Sequence, residues 1–100
     1  MTINYEYDGV TASDTLEAFT EEKLKPVFER YEFVIRADVF FKTENTTSDE
    51  SGKICSIRLS APGPRLFAEA SHENFQRSVS ETVDELLKQL KKRKAQMKTH

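Results

Sequence analysis

The chain has 100 residues, of which 37% are hydrophobic and 32% are charged, a composition typical of one water-soluble domain. A domain of this length buries roughly two-thirds of its unfolded surface, which allows one modest core and leaves no room for a second domain. No apolar run is long enough to cross a membrane, and the opening MTINYEYDGV lacks the features of a secretory signal. We therefore expect a single cytoplasmic domain over residues 1–100.

The formal net charge of −2 conceals an uneven distribution along the chain. Residues 85–100 carry a charge of +5, so the remaining 84 residues carry −7. A strongly basic end on an acidic body concentrates positive potential in one place, which permits binding to phosphate groups without general adhesion. The lone cysteine, Cys55, has no partner for an internal disulfide and is expected in the core.

The first two predicted elements are a short strand and a helix. Residues 2–7 alternate between apolar and polar side chains, which is the period of a half-buried strand. Ser13 precedes two acidic residues and is the candidate N-cap of a helix whose apolar residues continue at mostly helical spacing to Tyr31. Pro26 lies inside this pattern. Because proline has no amide for the helical ladder, we expect a kink or an early end near Lys25.

Three strands are predicted next. The segment IRADVFFK alternates with Phe40 as its single exception, and the polar stretch 43–52 predicts a mobile hairpin connection. The APGP sequence at 61–64 predicts a turn, since its prolines support neither a helix nor a sheet ladder. The predicted strands cover residues 35–42, 53–59 and 66–71.

The longest helical pattern begins after Asn74, a candidate N-cap, and no glycine or proline interrupts residues 75–100. Its apolar stripe comprises Phe75, Val79, Val83, Leu86, Leu90 and Met97, widened by Leu87. A basic helical tail at about 88–100 is expected to project past the sheet. The order of elements predicts an α+β fold, β-α-β-β-β-α, in which a four-stranded sheet carries both helices on one face, because each helix has one apolar stripe to bury.

This order, together with the segments ASDTLEAFTEEKLKPVFERY and ENFQRSVSETVDELLKQLKKRKAQMKTH, resembles the ribosome hibernation-promoting factor and ribosome-associated inhibitor family over the whole chain. The resemblance implies a β-α-β-β-β-α fold and binding to ribosomal RNA of the small subunit, in the channel that messenger and transfer RNA occupy. It further implies that the protein silences idle ribosomes under stress. The chain stops at His100, as expected of the short members, which lack a second domain.

The resemblance also implies which side chains face the RNA. The family's basic positions on the last helix fall at Lys88, Lys92 and Lys94, with Lys91, Arg93 and Lys98 adding charge; Lys23 matches a basic position on the first helix, and Lys25 widens the patch if the two helices lie side by side. If these side chains neutralise about five phosphates, raising the salt concentration from 50 to 200 mM should reduce affinity for RNA roughly a hundredfold. Each set of basic residues also has an explanation that does not involve RNA. On the first helix, interspersed glutamates make solvated salt bridges at least equally good partners for the lysines. At the end of the second helix, lysines are favoured by the helix macrodipole and by solubility.

The sequence offers no support for catalysis or metal binding. His72 and His100 are the only histidines, neither lies at metal-ligand spacing, and no nucleophile motif or phosphate loop is present. We therefore predict that the protein is not an enzyme and needs no cofactor, metal or small-molecule substrate. A weaker candidate surface is the open sheet face, with Arg36, Lys42, Arg58, Phe40 and Phe67.

A protein–protein interaction module is the alternative function. In that case the long C-terminal helix would pair with a partner helix through Val79, Val83, Leu86 and Leu90. A paired-helix module forms a stable dimer without RNA, whereas the ribosome binder is expected to be monomeric off the ribosome. The oligomeric state therefore separates the two hypotheses.

Overall fold

The computed structural model describes residues 1–45 and 51–97, which contain two helices and four strands. The elements are β1 (Thr2–Asp8), α1 (Asp14–Arg30), β2 (Arg36–Thr43), β3 (Lys53–Ser60), β4 (Leu66–His72) and α2 (Phe75–Met97). The predicted β-α-β-β-β-α order is confirmed. Part of the predicted connection at 43–52 and the whole of Lys98 lie outside the described residues. Within the described ranges, no helix has the length and apolar composition needed to cross a membrane.

The four strands form one sheet in the order β1-β2-β3-β4. β1 pairs with β2 in parallel, with Thr2 opposite Arg36, and α1 provides the crossover that a parallel pair requires. The remaining pairs are antiparallel, with Val39 opposite Ile57 and Ile57 opposite Ala68. As a result, the start of β2, the end of β3 and the start of β4 meet at one end of the sheet.

Alternation of side chains gives the sheet one face covered by the helices and one open face. The covered face is apolar and buried, as predicted, and includes Ala37, Val39, Phe41, Cys55, Ile57, Leu59, Leu66 and Ala68. The open face carries mostly polar and charged side chains. Phe40 and Phe67 also lie on it, and 46% of Phe67 is exposed. The predicted assignment of residues to the two faces is confirmed.

α1 begins where the sequence predicts and ends later. The Ser13 hydroxyl accepts a hydrogen bond from the Leu16 amide at 3.1 Å, which confirms the predicted N-cap. Of the two outcomes expected at Pro26, an early end near Lys25 is wrong, because the helix continues to Arg30.

Burial of Val27 explains why α1 continues past Pro26. Proline removes the hydrogen bond that an amide would donate to the carbonyl of Glu22, but Glu22 is exposed, so water can satisfy that carbonyl. Val27 is fully buried, and its carbonyl accepts a hydrogen bond from the Tyr31 amide at 3.0 Å. Tertiary packing therefore outweighs the local cost of the proline.

α2 packs its predicted apolar stripe against the sheet. The side-chain oxygen of Asn74 accepts a hydrogen bond from the Arg77 amide at 2.8 Å, which confirms this N-cap. The buried residues of the stripe include Val79, Val83, Leu86 and Leu90. Its predicted extension to Met97 is wrong, since 42% of Met97 is exposed. Because these four side chains belong to the core, they are not available to pair with a partner helix as the alternative function requires.

Candidate nucleic-acid interface

Three lysines form an outward surface on the second half of α2, which we call the lysine face: Lys88, Lys91 and Lys92. They lie on the side of the helix opposite the buried Leu86 and Leu90, and all three are exposed. The Lys88 ammonium is 3.8 Å from the carboxylate of Glu85, with the side chains 78% and 55% exposed. Such an exposed pair contributes little. Lys91 and Lys92 make no ion pair with any described residue, so the face is available to an anionic partner.

Lys94 lies on the flank of α2 that faces α1. Its ammonium is 5.7 Å from the centroid of the Tyr31 ring, at the C-cap of α1, where the ring quadrupole attracts a cation. The same side chain lines a shallow pocket with Arg30 and Phe33 and with two carboxylates, Glu29 and Glu32. The end of α1 and the basic end of α2 are therefore neighbours.

Arg93 points toward the β3–β4 turn. Its two terminal guanidinium nitrogens donate hydrogen bonds to the carbonyls of Pro62, at 2.8 Å, and Pro64, at 2.6 Å. Gly63 between them has a φ of +98°, and a Cβ there would lie 3.0 Å from the guanidinium, so glycine suits both the backbone and the contact. This two-point contact ties the turn to α2, a role that the sequence analysis missed. The part of Arg93 in RNA binding stays a prediction.

Lys23 and Lys25 leave α1 on different sides. Both are exposed, and the Lys23 ammonium lies 5.6 Å from the ring centroid of Phe19 in the same helix. Lys25 follows Glu21 by one turn, on the flank that borders β1. Lys23 precedes Arg30 by two turns and shares its flank, which faces α2. Lys23 therefore lies on the flank of α1 that faces α2, whereas Lys25 lies on the flank that faces away from it.

Arg65 is a basic residue at this end of the molecule that the sequence analysis did not single out. It follows the APGP turn directly, is exposed, and has no ion pair within the part of the chain that the structure describes. The turn itself is held by Arg93. In the sequence, the only indication of a role for Arg65 is its position directly after a turn. The fold is needed to show that this turn lies next to the end of α2.

Acidic residues set the limit of the positive surface along α2. On the outward side of its first half lie Glu81, Asp84 and Glu85, which line a shallow pocket with Glu69 and Lys88. Carboxylates repel phosphate groups, so the part of the helix suited to a nucleic-acid backbone begins at Lys88. The charge separation in the sequence is therefore also a separation in space.

Comparisons with known proteins agree with this fold and point to one family. A ribosomal subunit interface protein from Coxiella burnetii is similar in structure, with a TM-score of 0.77 and 25% sequence identity over 95% of this chain and 99% of that chain. The N-terminal domain of Protein Y from Thermus thermophilus has the same fold, with a TM-score of 0.76 and 20% identity over 92% of this chain and 98% of that chain. No curated protein sequence matches significantly. The family model for "Sigma 54 modulation protein / S30EA ribosomal protein" matches residues 3–98, so the chain belongs to that family, the hibernation-promoting factor family that its sequence resembles.

Proposed function

We propose that this protein binds the small ribosomal subunit through the basic end of α2, in the channel that messenger and transfer RNA occupy, and thereby silences idle ribosomes. Two findings support the ribosome as the partner. The description of the family includes an S30EA ribosomal protein, and the fold is similar to that of a ribosomal subunit interface protein. The observation that carries the RNA contact is the lysine face, which presents three exposed ammonium groups on one side of a rigid helix.

The chemistry of this surface suits structured RNA. Ammonium groups on flexible stems neutralise phosphates and release counterions without reading base sequence. Helical ribosomal RNA is recognised mainly by shape and backbone, so a straight basic helix is an appropriate ligand. With extents of 49 × 25 × 18 Å, the protein would exclude messenger and transfer RNA by its volume, and inhibition would need no catalytic step.

The first test is sedimentation of the protein with purified small subunits and whole ribosomes across a salt series. If the lysine face and Lys94 neutralise about four phosphates, affinity should fall roughly a hundredfold between 50 and 200 mM salt. Protein that stays in the supernatant even at the lowest salt concentration would contradict the proposal.

A matched pair of variants locates the contact. The triple variant K88E/K91E/K92E reverses the lysine face and should abolish co-sedimentation while circular dichroism shows a folded chain. The control K42E/K53E/R77E reverses three exposed cations at the opposite end of the sheet and of α2, and should bind as the wild type does. Equal binding losses in both variants would mean that overall charge, and not the lysine face, determines affinity.

Occupation of the channel is tested by competition. Small subunits already loaded with messenger and transfer RNA should bind the protein much more weakly than empty subunits. The protein should also inhibit translation of a reporter messenger in proportion to the occupied fraction. Undiminished binding to loaded subunits would exclude the channel as the site.

A further inference from the structure

A second basic surface lies at the same end of the molecule, on the open face of the sheet. It is a groove of about 620 Å³ lined by Arg36, Arg58 and Arg65, with Ile35 and Pro62 among the residues at its edge, and we call it the arginine groove. We propose, on the basis of the function proposed above, that the arginine groove binds the sugar–phosphate backbone of a ribosomal RNA strand. The RNA contact would then continue from α2 around the end of the sheet.

One carboxylate holds two of these arginines side by side. An oxygen of Asp38 accepts hydrogen bonds from Nε of Arg36, at 3.3 Å, and from a terminal nitrogen of Arg58, at 3.2 Å. Its other oxygen accepts one from the Asn4 amide at 3.1 Å. Burial alone would raise the pKa of Asp38, but the hydrogen bonds from Asn4 and Arg58 and the charge of Arg36 outweigh burial and lower it. Asp38 is therefore ionised at neutral pH and fixes both guanidinium groups.

The two guanidinium groups keep most of their donors. Each has five N–H groups. Arg36 donates one hydrogen bond to Asp38 and one to Ser60, and Arg58 donates one to Asp38. Their side chains are 45% and 37% exposed. The Arg58 guanidinium also lies 5.7 Å from the ring centroid of Phe40, which restricts its orientation. A planar donor fork held in place before binding matches phosphate oxygens and loses little entropy when it binds them.

The charge of the groove favours an anion. Asp38 balances one of the two arginines that it contacts, and Arg65 has no carboxylate partner within the described ranges, so the lining keeps a net positive charge. The groove is also shallow and open to solvent. A small molecule is usually enclosed over most of its surface, whereas an open groove suits a strand that continues beyond it.

The β3–β4 turn connects the arginine groove with α2. Pro62 and Gly63 form part of the groove, and the carbonyl of Pro62 is held by Arg93 from the helix. The lysine face points away from the covered face of the sheet and the arginine groove lies at its open face, so a strand that contacts both must pass around this fixed turn. A nucleic-acid strand carries a phosphate at every residue and can contact both surfaces, which a single small anion cannot do.

The experiment measures the salt dependence of binding to purified small subunits for two matched triple variants. R36Q/R58Q/R65Q should lower the slope of log affinity against log salt by roughly 1.5 to 2 and weaken binding about thirtyfold at 100 mM salt. The control K42Q/K53Q/R77Q removes the same charge from the far end and should leave the slope unchanged. Loss of Arg36 and Arg58 leaves Asp38 without a cation, which could alter the fold as well as the charge. The single variants R65Q and R77Q therefore repeat the test at positions that do not contact Asp38. R65Q should lower the slope by about 0.7 to 0.9 and R77Q should not.

Crosslinking identifies the molecule in the groove. A photoreactive phenylalanine analogue in place of Ile35, which is 69% exposed at the groove, should crosslink to ribosomal RNA. A crosslink to a ribosomal protein, or saturable binding of GTP in the groove together with an unchanged salt slope for R65Q, would overturn the proposal. If wild-type protein fails to bind small subunits at all, the proposed function fails and the groove proposal with it. If wild type binds and the lysine-face variant does not, while both groove variants match their controls, the groove proposal alone is wrong.

Discussion

Arg93 shows how one basic side chain can serve the structure as well as the charge of a surface. In the sequence it is one of four adjacent basic residues, and a run of KKRK gives no information about which carbonyl groups an arginine will meet. In the structure its guanidinium spans the carbonyls of Pro62 and Pro64. A lysine carries the same charge but has one compact ammonium group and cannot reproduce the planar two-point contact.

Exchanging Arg93 for lysine should separate these two roles. We expect Arg93→Lys to lower the free energy of unfolding by about 1 to 2 kcal/mol, since one charge-assisted hydrogen bond is lost at a partly exposed site. Urea unfolding followed by circular dichroism measures this change. Lys91→Arg is the matched control, because Lys91 is exposed and makes no ion pair, and its stability should equal that of the wild type. Equal stability of Arg93→Lys and the wild type would show that the turn does not need the contact.

Cys55 should make the protein less stable in alkaline solution. Burial raises the pKa of the Cys55 thiol from 9.0 to about 12. Above about pH 9 the unfolded chain loses a thiol proton that the folded chain keeps, so stability falls with rising pH, by about 1.4 kcal/mol per pH unit up to the folded pKa. Burial likewise raises the pKa of Tyr5, from 10.0 to about 12, which adds to the loss at still higher pH.

The variant Cys55→Ala isolates the contribution of the thiol, because Tyr5 is unchanged in it. Between about pH 8 and pH 10, the unfolding free energy of the wild type should fall more steeply than that of Cys55→Ala. Urea unfolding at half-unit intervals of pH supplies the two slopes. Identical slopes would mean that the folded thiol titrates normally.

Among the elements, α1 carries a local defect that its tertiary packing tolerates. Replacing Pro26 by alanine restores an amide that can donate to the carbonyl of Glu22 and removes a residue about 3 kcal/mol less favourable in a helix interior. Greater freedom of the unfolded chain offsets roughly 1 kcal/mol of that gain. We therefore expect Pro26→Ala to raise the unfolding free energy by about 2 kcal/mol, measured with urea. A loss of stability would show that packing of the proline ring stabilises the fold by more than the restored hydrogen bond does.

In α2, the acidic first half should limit where RNA can bind. Neutralising the carboxylates next to the lysine face, in D84N/E85Q, extends the uncharged or positive surface toward the helix start. We expect severalfold tighter binding to unrelated RNA such as poly(U), and therefore poorer discrimination in favour of small subunits. Filter binding at fixed salt measures both affinities. The control E6Q/D8N removes two exposed carboxylates from β1, and an equal gain there would attribute the effect to net charge alone.

For the molecule as a whole, predictability from the sequence depends on how local each feature is. The faces of β2 and the start of α1 follow from alternation and from Ser13, which are properties of adjacent residues. The end of α1 at Arg30 depends on burial of Val27 in a core that no local pattern describes. The lysine face follows from helical spacing, whereas the arginine groove requires the β2–β3 register that sets Asp38 opposite Arg58.

The distribution of apolar surface predicts that the chain is monomeric in the absence of ribosomes. Within the described ranges the exposed large hydrophobic residues are Met1, Ile35, Phe67 and Met97, which belong to different parts of the fold. A stable dimer usually buries about 1,200 to 2,000 Å² around a hydrophobic centre, and single scattered side chains do not provide one. Two basic ends would also repel each other. Sedimentation equilibrium should therefore give the chain mass of 11.5 kDa at both low and high salt. A dimer that Phe67→Ser dissociates would instead assign the open face of the sheet to self-association and would remove that face from the proposed RNA contact.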